Sequence, residues 1–124
     1  MACFLRNSPN ENVKVSFLAK KKHIIIPQAT FIQNGNDFKW DDTTGTITYS
    51  GPKKLFIFNF NFIYDMNETL THDLCIDGKS QELNADYGFT VASLKKGSII
   101  SIEAHTSQNL TCTYSTIFLA ISKF

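Results

Sequence analysis

The chain has 124 residues, a size that predicts one domain able to bury about two-thirds of its unfolded surface. Its 12 basic and 11 acidic side chains nearly cancel, so no net charge directs it to nucleic acid or to an anionic membrane surface. The 43% of hydrophobic residues, with eleven phenylalanines and three prolines, exclude a disordered chain and favour β structure.

The first segment, residues 1–12, is polar and rich in asparagine, and we expect it to be a flexible N-terminal arm. The single domain is then predicted to cover residues 13–124. Residues 1–9 contain no apolar run of the length that a signal peptide or a membrane span requires. We therefore expect no membrane insertion, and a chain that is soluble where it is made or is exported by another route.

Short alternating segments follow, and each is predicted to be a strand. Residues 13–19 form the first, and His23 lies in an apolar strand in which Pro27 indicates a sheet edge or a bend. His23 is interpreted as a core or interface residue. Turn chemistry at 34–37, 42–45, 50–52 and 77–80 separates the strands around it. Later strands are expected at 73–76, 89–94, 98–104 and 110–121. No segment has helical spacing, so the eight to ten strands predict a sandwich or barrel.

Residues 55–65 form the strand around which the others are expected to pack, with the sequence LFIFNFNFIYD. Its even positions are all aromatic, and side chains alternate between the two faces of a strand. An aromatic row of this kind predicts a core face, because each buried ring removes about 150–250 Å² from water. The odd positions before Asp65 are leucine, isoleucine and asparagine, where an exposed strand would carry lysine and threonine. We expect this face to be covered as well.

Three cysteines, Cys3, Cys75 and Cys112, lack the Cys-x-x-Cys spacing of a zinc site and are too few for a disulfide framework. Buried thiols are the favoured interpretation. A single bridge between Cys75 and Cys112 is the alternative, if their strands are neighbours.

Six strand and turn motifs, in order between residues 13 and 122, resemble those of the tumour necrosis factor and complement-head superfamily. They are residues 15–20 (VSFLAK), Asn34-Gly35 with Phe38, Asp41 and 44–47 (TGTI), Gly51 with 56–58 (FIF), 74–78 (LCIDG), 94–98 (LKKGS) and 114–119 (YSTIFL). Departures from the family pattern are Pro52 after Gly51, Ser98 for an aspartate and Thr116 for a glycine.

This resemblance implies an all-β fold, an antiparallel β-sandwich of the TNF-like jelly-roll type with about ten strands. It also implies a homotrimer that acts as a recognition module for a receptor or cell-surface ligand, rather than an enzyme. Two sets of residues follow from it. The implied trimer interface consists of Leu55, Ile57, Asn59, Asn61 and Ile63. The implied core consists of Phe17, Ile47, Phe56, Phe58, Phe60, Phe62, Ile117 and Leu119.

Catalytic and metal-binding interpretations have little support in the sequence. His72-Asp73 is an acid–base pair at most, and we interpret His72 as a solvated loop histidine. Asp41-Asp42 and Asp73 with Asp77 carry oxygen ligands that calcium could use, but Asp41-Asp42 is better explained as turn chemistry. No cofactor, metal or nucleic acid is expected.

A second class of function stays open at this point. Jelly rolls also build virions, so a viral or phage spike, fibre-head or decoration subunit is the alternative to a receptor-binding module. Either function places the protein at a virion or cell surface, or outside the cell.

Overall fold

The computed structural model describes residues 2–7, 12–20, 23–24, 29–65, 70–83 and 85–124, and these form two antiparallel sheets. The described residues contain twelve strands: β1 (Cys3–Asn7), β2 (Val13–Phe17), β3 (His23–Ile24), β4 (Ala29–Gln33), β5 (Phe38–Asp41), β6 (Thr46–Tyr49), β7 (Lys54–Tyr64), β8 (Leu70–Ile76), β9 (Lys79–Ser80), β10 (Tyr87–Leu94), β11 (Ile99–Thr106) and β12 (Leu110–Lys123).

The two sheets are called sheet I and sheet II. Sheet I has the order β10-β7-β12-β1-β4, with β2 also paired to β12. Sheet II has the order β5-β6-β11-β8-β9, with β3 also paired to β11. From β6 onwards the chain crosses repeatedly between the sheets, as β7, β10 and β12 lie in sheet I and β8, β9 and β11 in sheet II. This double-sheet connectivity is that of a jelly roll, so the predicted fold class is confirmed.

Strand β7 lies inside sheet I, between β10 and β12. Its even positions point into the sandwich, where Phe56, Phe58, Phe60 and Phe62 are all buried. They belong to one core cluster with residues of the other strands. The remaining core residues named from the sequence are buried in the same cluster: Phe17, Ile47, Ile117 and Leu119. Strict alternation along an eleven-residue strand thus produces a hydrophobic layer on one side of the sheet.

The prediction of a flexible arm is wrong for residues 3–7, which form strand β1. This strand pairs with both β12 and β4 inside sheet I, and Cys3 and Leu5 are buried. Asn7 also bonds to β12: its Nδ2 donates to the Ser115 carbonyl at 2.9 Å and its Oδ1 accepts from the Ile117 N–H at 3.1 Å. Long-range pairing therefore overrides the polar local composition. Residues 8–11 of the predicted arm lie outside the described residues.

The predicted turns at 34–37 and 42–45 are confirmed. Of the turn predicted at 77–80, only residues 77–78 form a turn, because Lys79–Ser80 form strand β9. Four strands are longer than predicted: β8 begins at Leu70 and β10 at Tyr87, while β11 ends at Thr106 and β12 at Lys123. Gly88 has φ 151°, a backbone conformation that residues with a Cβ rarely adopt. It lies between the exposed Tyr87 and Phe89 at the start of β10.

Candidate functional site

The outer face of sheet I is the most unusual surface in the described part of the chain. We define it by the residues that pair in register and point away from the core. The first row across it runs from Tyr87 through Asn61 and Phe118 to Arg6, and the next from Phe89 through Asn59 and Ala120 to Phe4. Further members are Val91, Ile57, Ser122, Leu55, Ile63, Thr116 and Ile32.

Large apolar side chains on this face are exposed to solvent. Nine large hydrophobic residues are exposed in the described part of the chain, and six of them belong to this one face: Ile32, Leu55, Ile63, Tyr87, Phe89 and Val91. Tyr87 is 76% and Phe89 68% exposed. Scattered exposed apolar residues are normal in a monomer, but a contiguous cluster indicates a surface that another molecule covers.

The outer face of sheet II gives an internal comparison. Its rows pair Thr46 with Ser101, Asp73 with Glu103 and His105 with Thr71. Ile99 is its exposed large apolar residue, at 45%. The two outer faces therefore differ in chemistry, with sheet II polar and sheet I apolar.

The structure places all five predicted interface residues on the outer face of sheet I. Leu55, Asn59 and Ile63 are exposed, while Ile57 and Asn61 are half-buried between neighbouring strands. The predicted interface did not include the neighbouring residues on this face. The most exposed of these are Tyr87, Phe89 and Val91, which form the outer row of β10. The alternation of Phe89 and Val91 with Thr90 and Ala92 is the signal that marks that row.

A polar cluster centred on the buried His72 lies between the two sheets at one end of β7. His72 of β8 is fully buried, and its Nδ1 lies 2.9 Å from the Asp86 Oδ1. Its Nε2 lies 2.6 Å from the Tyr114 hydroxyl. The Tyr64 hydroxyl donates to the same Asp86 carboxylate at 3.0 Å. The Phe62 ring stacks on the imidazole with centroids 4.6 Å apart. The cluster therefore ties sheet II to sheet I.

Burial decides the charge of this cluster. It lowers the pKa of His72 from its usual value and outweighs the opposing effect of the Asp86 carboxylate. The imidazole is therefore neutral at pH 7. A carboxylate only accepts hydrogen bonds, so Nδ1 carries the proton, and Nε2 accepts from the Tyr114 hydroxyl. Burial also raises the pKa values of Tyr64 and Tyr114, which keeps both hydroxyls protonated.

The interpretation of His72 as a solvated loop residue beside Asp73 is wrong. Leu70, His72, Leu74 and Ile76 point to the same side of β8 and are buried. The carboxylate that contacts the ring is Asp86, fourteen positions along the chain. The alternation of leucine and isoleucine with His72 is the sequence signal that places the histidine inside.

Three of the aspartates considered as calcium ligands accept hydrogen bonds from backbone N–H groups. Asp41 Oδ1 accepts from the Thr43 N–H at 2.9 Å, and such hydrogen bonds lower the pKa of Asp41. This confirms the turn interpretation. Asp77 accepts from the Ile99 N–H at 2.8 Å and Asp73 from the Leu83 N–H at 3.4 Å. Among the described residues, no group of three or more acidic, histidine or cysteine side chains could hold a metal ion. The side chain of His23 lies outside the described residues.

All three cysteines remain thiols and are buried, so the favoured interpretation is confirmed. Cys75 and Cys112 lie in different sheets, on β8 and β12. The Cys75 thiol donates to Glu103 Oε2 at 3.0 Å. Burial raises the pKa of Cys3 to about 12 and also raises that of Cys112.

Comparisons with known proteins give one kind of match. No protein-family model matches the sequence, and no curated protein is significantly similar to it. Among solved structures, the crystal structure of rabbit GITRL is similar, with a TM-score of 0.49 and 11% sequence identity. The alignment covers 97% of this chain and 93% of that chain. The described part of the present chain contains no helix long and apolar enough to span a bilayer.

Proposed function

We propose that this chain is a non-enzymatic recognition module that assembles into a homotrimer through the outer face of sheet I and binds a protein receptor or cell-surface ligand. The observation that carries the assembly is the cluster of six exposed apolar side chains on that face. The threefold state and the receptor-binding role follow the resemblance of the sequence motifs to the TNF and complement-head superfamily.

The size of the face suits a protein interface. Strand β7 has eleven residues and spans about 36 Å. Sheet I has five strands side by side, and neighbouring strands are about 4.8 Å apart, so the face is about 19 Å wide. Because β1 and β4 have only five residues each, the face is smaller than the full rectangle of roughly 700 Å². Together with the side chains around its rim, it is of the order of the roughly 800 Å² per partner of a standard interface.

The two asparagines of the face suit an assembled state. Asn59 and Asn61 are neighbours on the outer face of β7, between Ile57 and Ile63. An amide can bond to another amide or to a trapped water when it is covered. Copies related by a threefold axis bring such groups together, which reduces the cost of removing them from water.

The buried polar cluster supports a structural role rather than catalysis. His72 and Tyr114 are completely buried, and each ring nitrogen of His72 already has a partner. A general base needs a substrate proton within hydrogen-bond reach. The fully covered imidazole offers no position for one, so we assign the cluster to holding the sheets together.

A matched pair of charge substitutions tests the assembly. Ile63 on sheet I and Ile99 on sheet II are similarly exposed, at 50% and 45%. The wild type should sediment at about three times its 14.0 kDa chain mass at micromolar concentration. Ile63→Asp should shift this to a folded monomer, because the new charge would lose its water in the interface. Ile99→Asp should stay trimeric. A monomeric wild type would contradict the proposal.

Binding of the fluorescently labelled trimer to cells tests the recognition role. Saturable binding that protease treatment of the cells abolishes would support a protein receptor. Ile63→Asp monomers should bind more weakly, because three linked sites raise the effective concentration at a surface. Binding to virus or phage particles, with none to cells, would instead support the structural alternative.

A further inference from the structure

The charges of sheet I are unevenly distributed. Its six strands contain no aspartate or glutamate. Arg6 of β1 and Lys14 of β2 are exposed and lie on the outer face, where they pair in register with Phe118 and Thr113 of β12. This face therefore carries positive charge and has no carboxylate of its own.

A carboxylate lies at the edge of the face, just before β10. The Asp86 side chain is 43% exposed, and Tyr64 and the neutral His72 hold its two oxygens. No lysine or arginine of the described residues forms an ion pair with it. Asp86 also lines a groove with residues of β7 and β10: Asn61, Phe62, Ile63, Tyr64 and Tyr87. The groove thus offers a fixed negative charge that no cation of the described residues pairs with.

Arg6 and Asp86 lie at nearly the same level of the sheet but too far apart to pair within one chain. Arg6 shares a row with Phe118, Asn61 and Tyr87, and Asp86 is one residue beyond Tyr87. Three strand spacings separate β1 from β10, which is about 14 Å. If the threefold axis of the proposed trimer runs along the strands, rotation from one subunit to the next keeps each residue at the same height along that axis. The full length of β7 can then be covered, and equivalent rows of neighbouring subunits lie opposite each other.

We propose that the Arg6 guanidinium of one copy binds in the groove of the next copy and pairs with the Asp86 carboxylate there. This inference rests on the proposed homotrimer and identifies a contact within it. A guanidinium matches a carboxylate in shape and charge, and hydrogen bonds from Tyr64 and His72 fix the Asp86 carboxylate before a partner arrives. Because the contact joins two different positions, it repeats around a ring and sets the rotational register of the subunits.

A double-mutant cycle tests this pair. The trimer dissociation constant is measured by sedimentation for the wild type, Arg6→Gln, Asp86→Asn and the double variant. Each single substitution should weaken the trimer by about threefold to thirtyfold, and the double variant should be no weaker than the weaker single variant. Lys14→Gln, which removes the other cation of the face, should show no coupling to Asp86→Asn.

The remaining outcomes separate the two proposals. A monomeric wild type would overturn the proposed trimer and this contact with it. Suppose that the wild type is trimeric but that the changes in dissociation constant caused by Arg6→Gln and Asp86→Asn simply multiply in the double variant. This result would overturn the contact but not the trimer, and so would coupling between Asp86→Asn and Lys14→Gln. If Asp86→Asn does not fold, salt dependence decides. Added salt should weaken the wild-type trimer more than the Arg6→Gln trimer, and equal salt dependence would overturn the pair.

Discussion

Substitutions on the two faces of β7 should have separate effects, and Phe58→Ala compared with Asn61→Asp shows this most directly. Phe58 is fully buried, opposite Thr90 on one neighbour and Ile121 on the other. Removing its ring should cost about 3–5 kcal/mol of a total free energy of unfolding near 5–15 kcal/mol. At roughly 3–6 °C per kcal/mol for a domain of this size, the melting temperature should fall by about 9–30 °C.

Asn61→Asp should leave the subunit folded and separate the trimer. Asn61 is half-buried on the outer face, and aspartate has nearly the same shape as asparagine, so the stability of the subunit should change by only about 0.5 kcal/mol. In the proposed trimer three new carboxylates would lie near the axis. At a separation of about 8 Å and an effective dielectric constant near 20, each of the three pairs repels by about 2 kcal/mol. The sum, about 6 kcal/mol, would raise the dissociation constant by more than a thousandfold.

Circular dichroism melting and analytical ultracentrifugation distinguish these effects. Phe58→Ala should lower the melting temperature strongly, and Asn61→Asp should shift sedimentation from trimer to monomer with a preserved β spectrum. The conservative variant Asn61→Ser, which adds no charge, serves as the control and should remain trimeric. If Asn61→Asp stays trimeric while Phe58→Ala dissociates without unfolding, the two faces have the opposite roles from those assigned here.

Two further predictions follow from buried groups. The folded-state pKa of His72 is lowered by burial, so the unfolded chain binds more protons below its unfolded pKa of about 6.5. Stability should therefore be complete above that pH and decrease by up to about 1.4 kcal/mol per pH unit as the pH falls from 6.5 towards the folded pKa. Urea unfolding of the His72→Gln variant should lack this part of the slope, and an unchanged slope would assign it to other groups. For the cysteines, burial disfavours the reactive thiolate. The native protein should react slowly with a thiol reagent and the denatured, non-reduced protein should titrate three groups; fewer than three would indicate a disulfide.

The sequence predicted β7 well because its signal is local and strong. Five aromatic residues at alternate positions cannot share one side of a helix, so the strand and its inner face follow from spacing alone. The buried positions of Phe56 to Phe62 are where this spacing puts them. The turn at 34–37 was predictable for a similar reason, since Asn-Gly favours a tight reversal in many contexts.

The features that the sequence analysis missed depend on distant pairing. Strand β1 is only five residues long. It is stable because it is flanked by β12, from the far end of the chain, and by β4, at residues 29–33. The partner of His72 is equally remote: Asp86 reaches the ring because β8 and the start of β10 pack across the sandwich. No local pattern encodes which carboxylate a buried histidine meets. The outer row of β10 joins that of β7 through the sheet register, which local alternation does not specify.

The apolar composition of the outer face of sheet I has a consequence for how any assembly through it would respond to temperature. Near room temperature the gain from covering apolar surface comes almost entirely from the entropy of water, and this gain decreases on cooling. Association through such a face also has a negative heat capacity change. Subunits held mainly by Tyr87, Phe89 and their neighbours would therefore separate more readily in the cold. A preparation stored near 0 °C would then contain more separated subunits, and on rewarming their uncovered faces could also adhere in arrangements that never close into a ring.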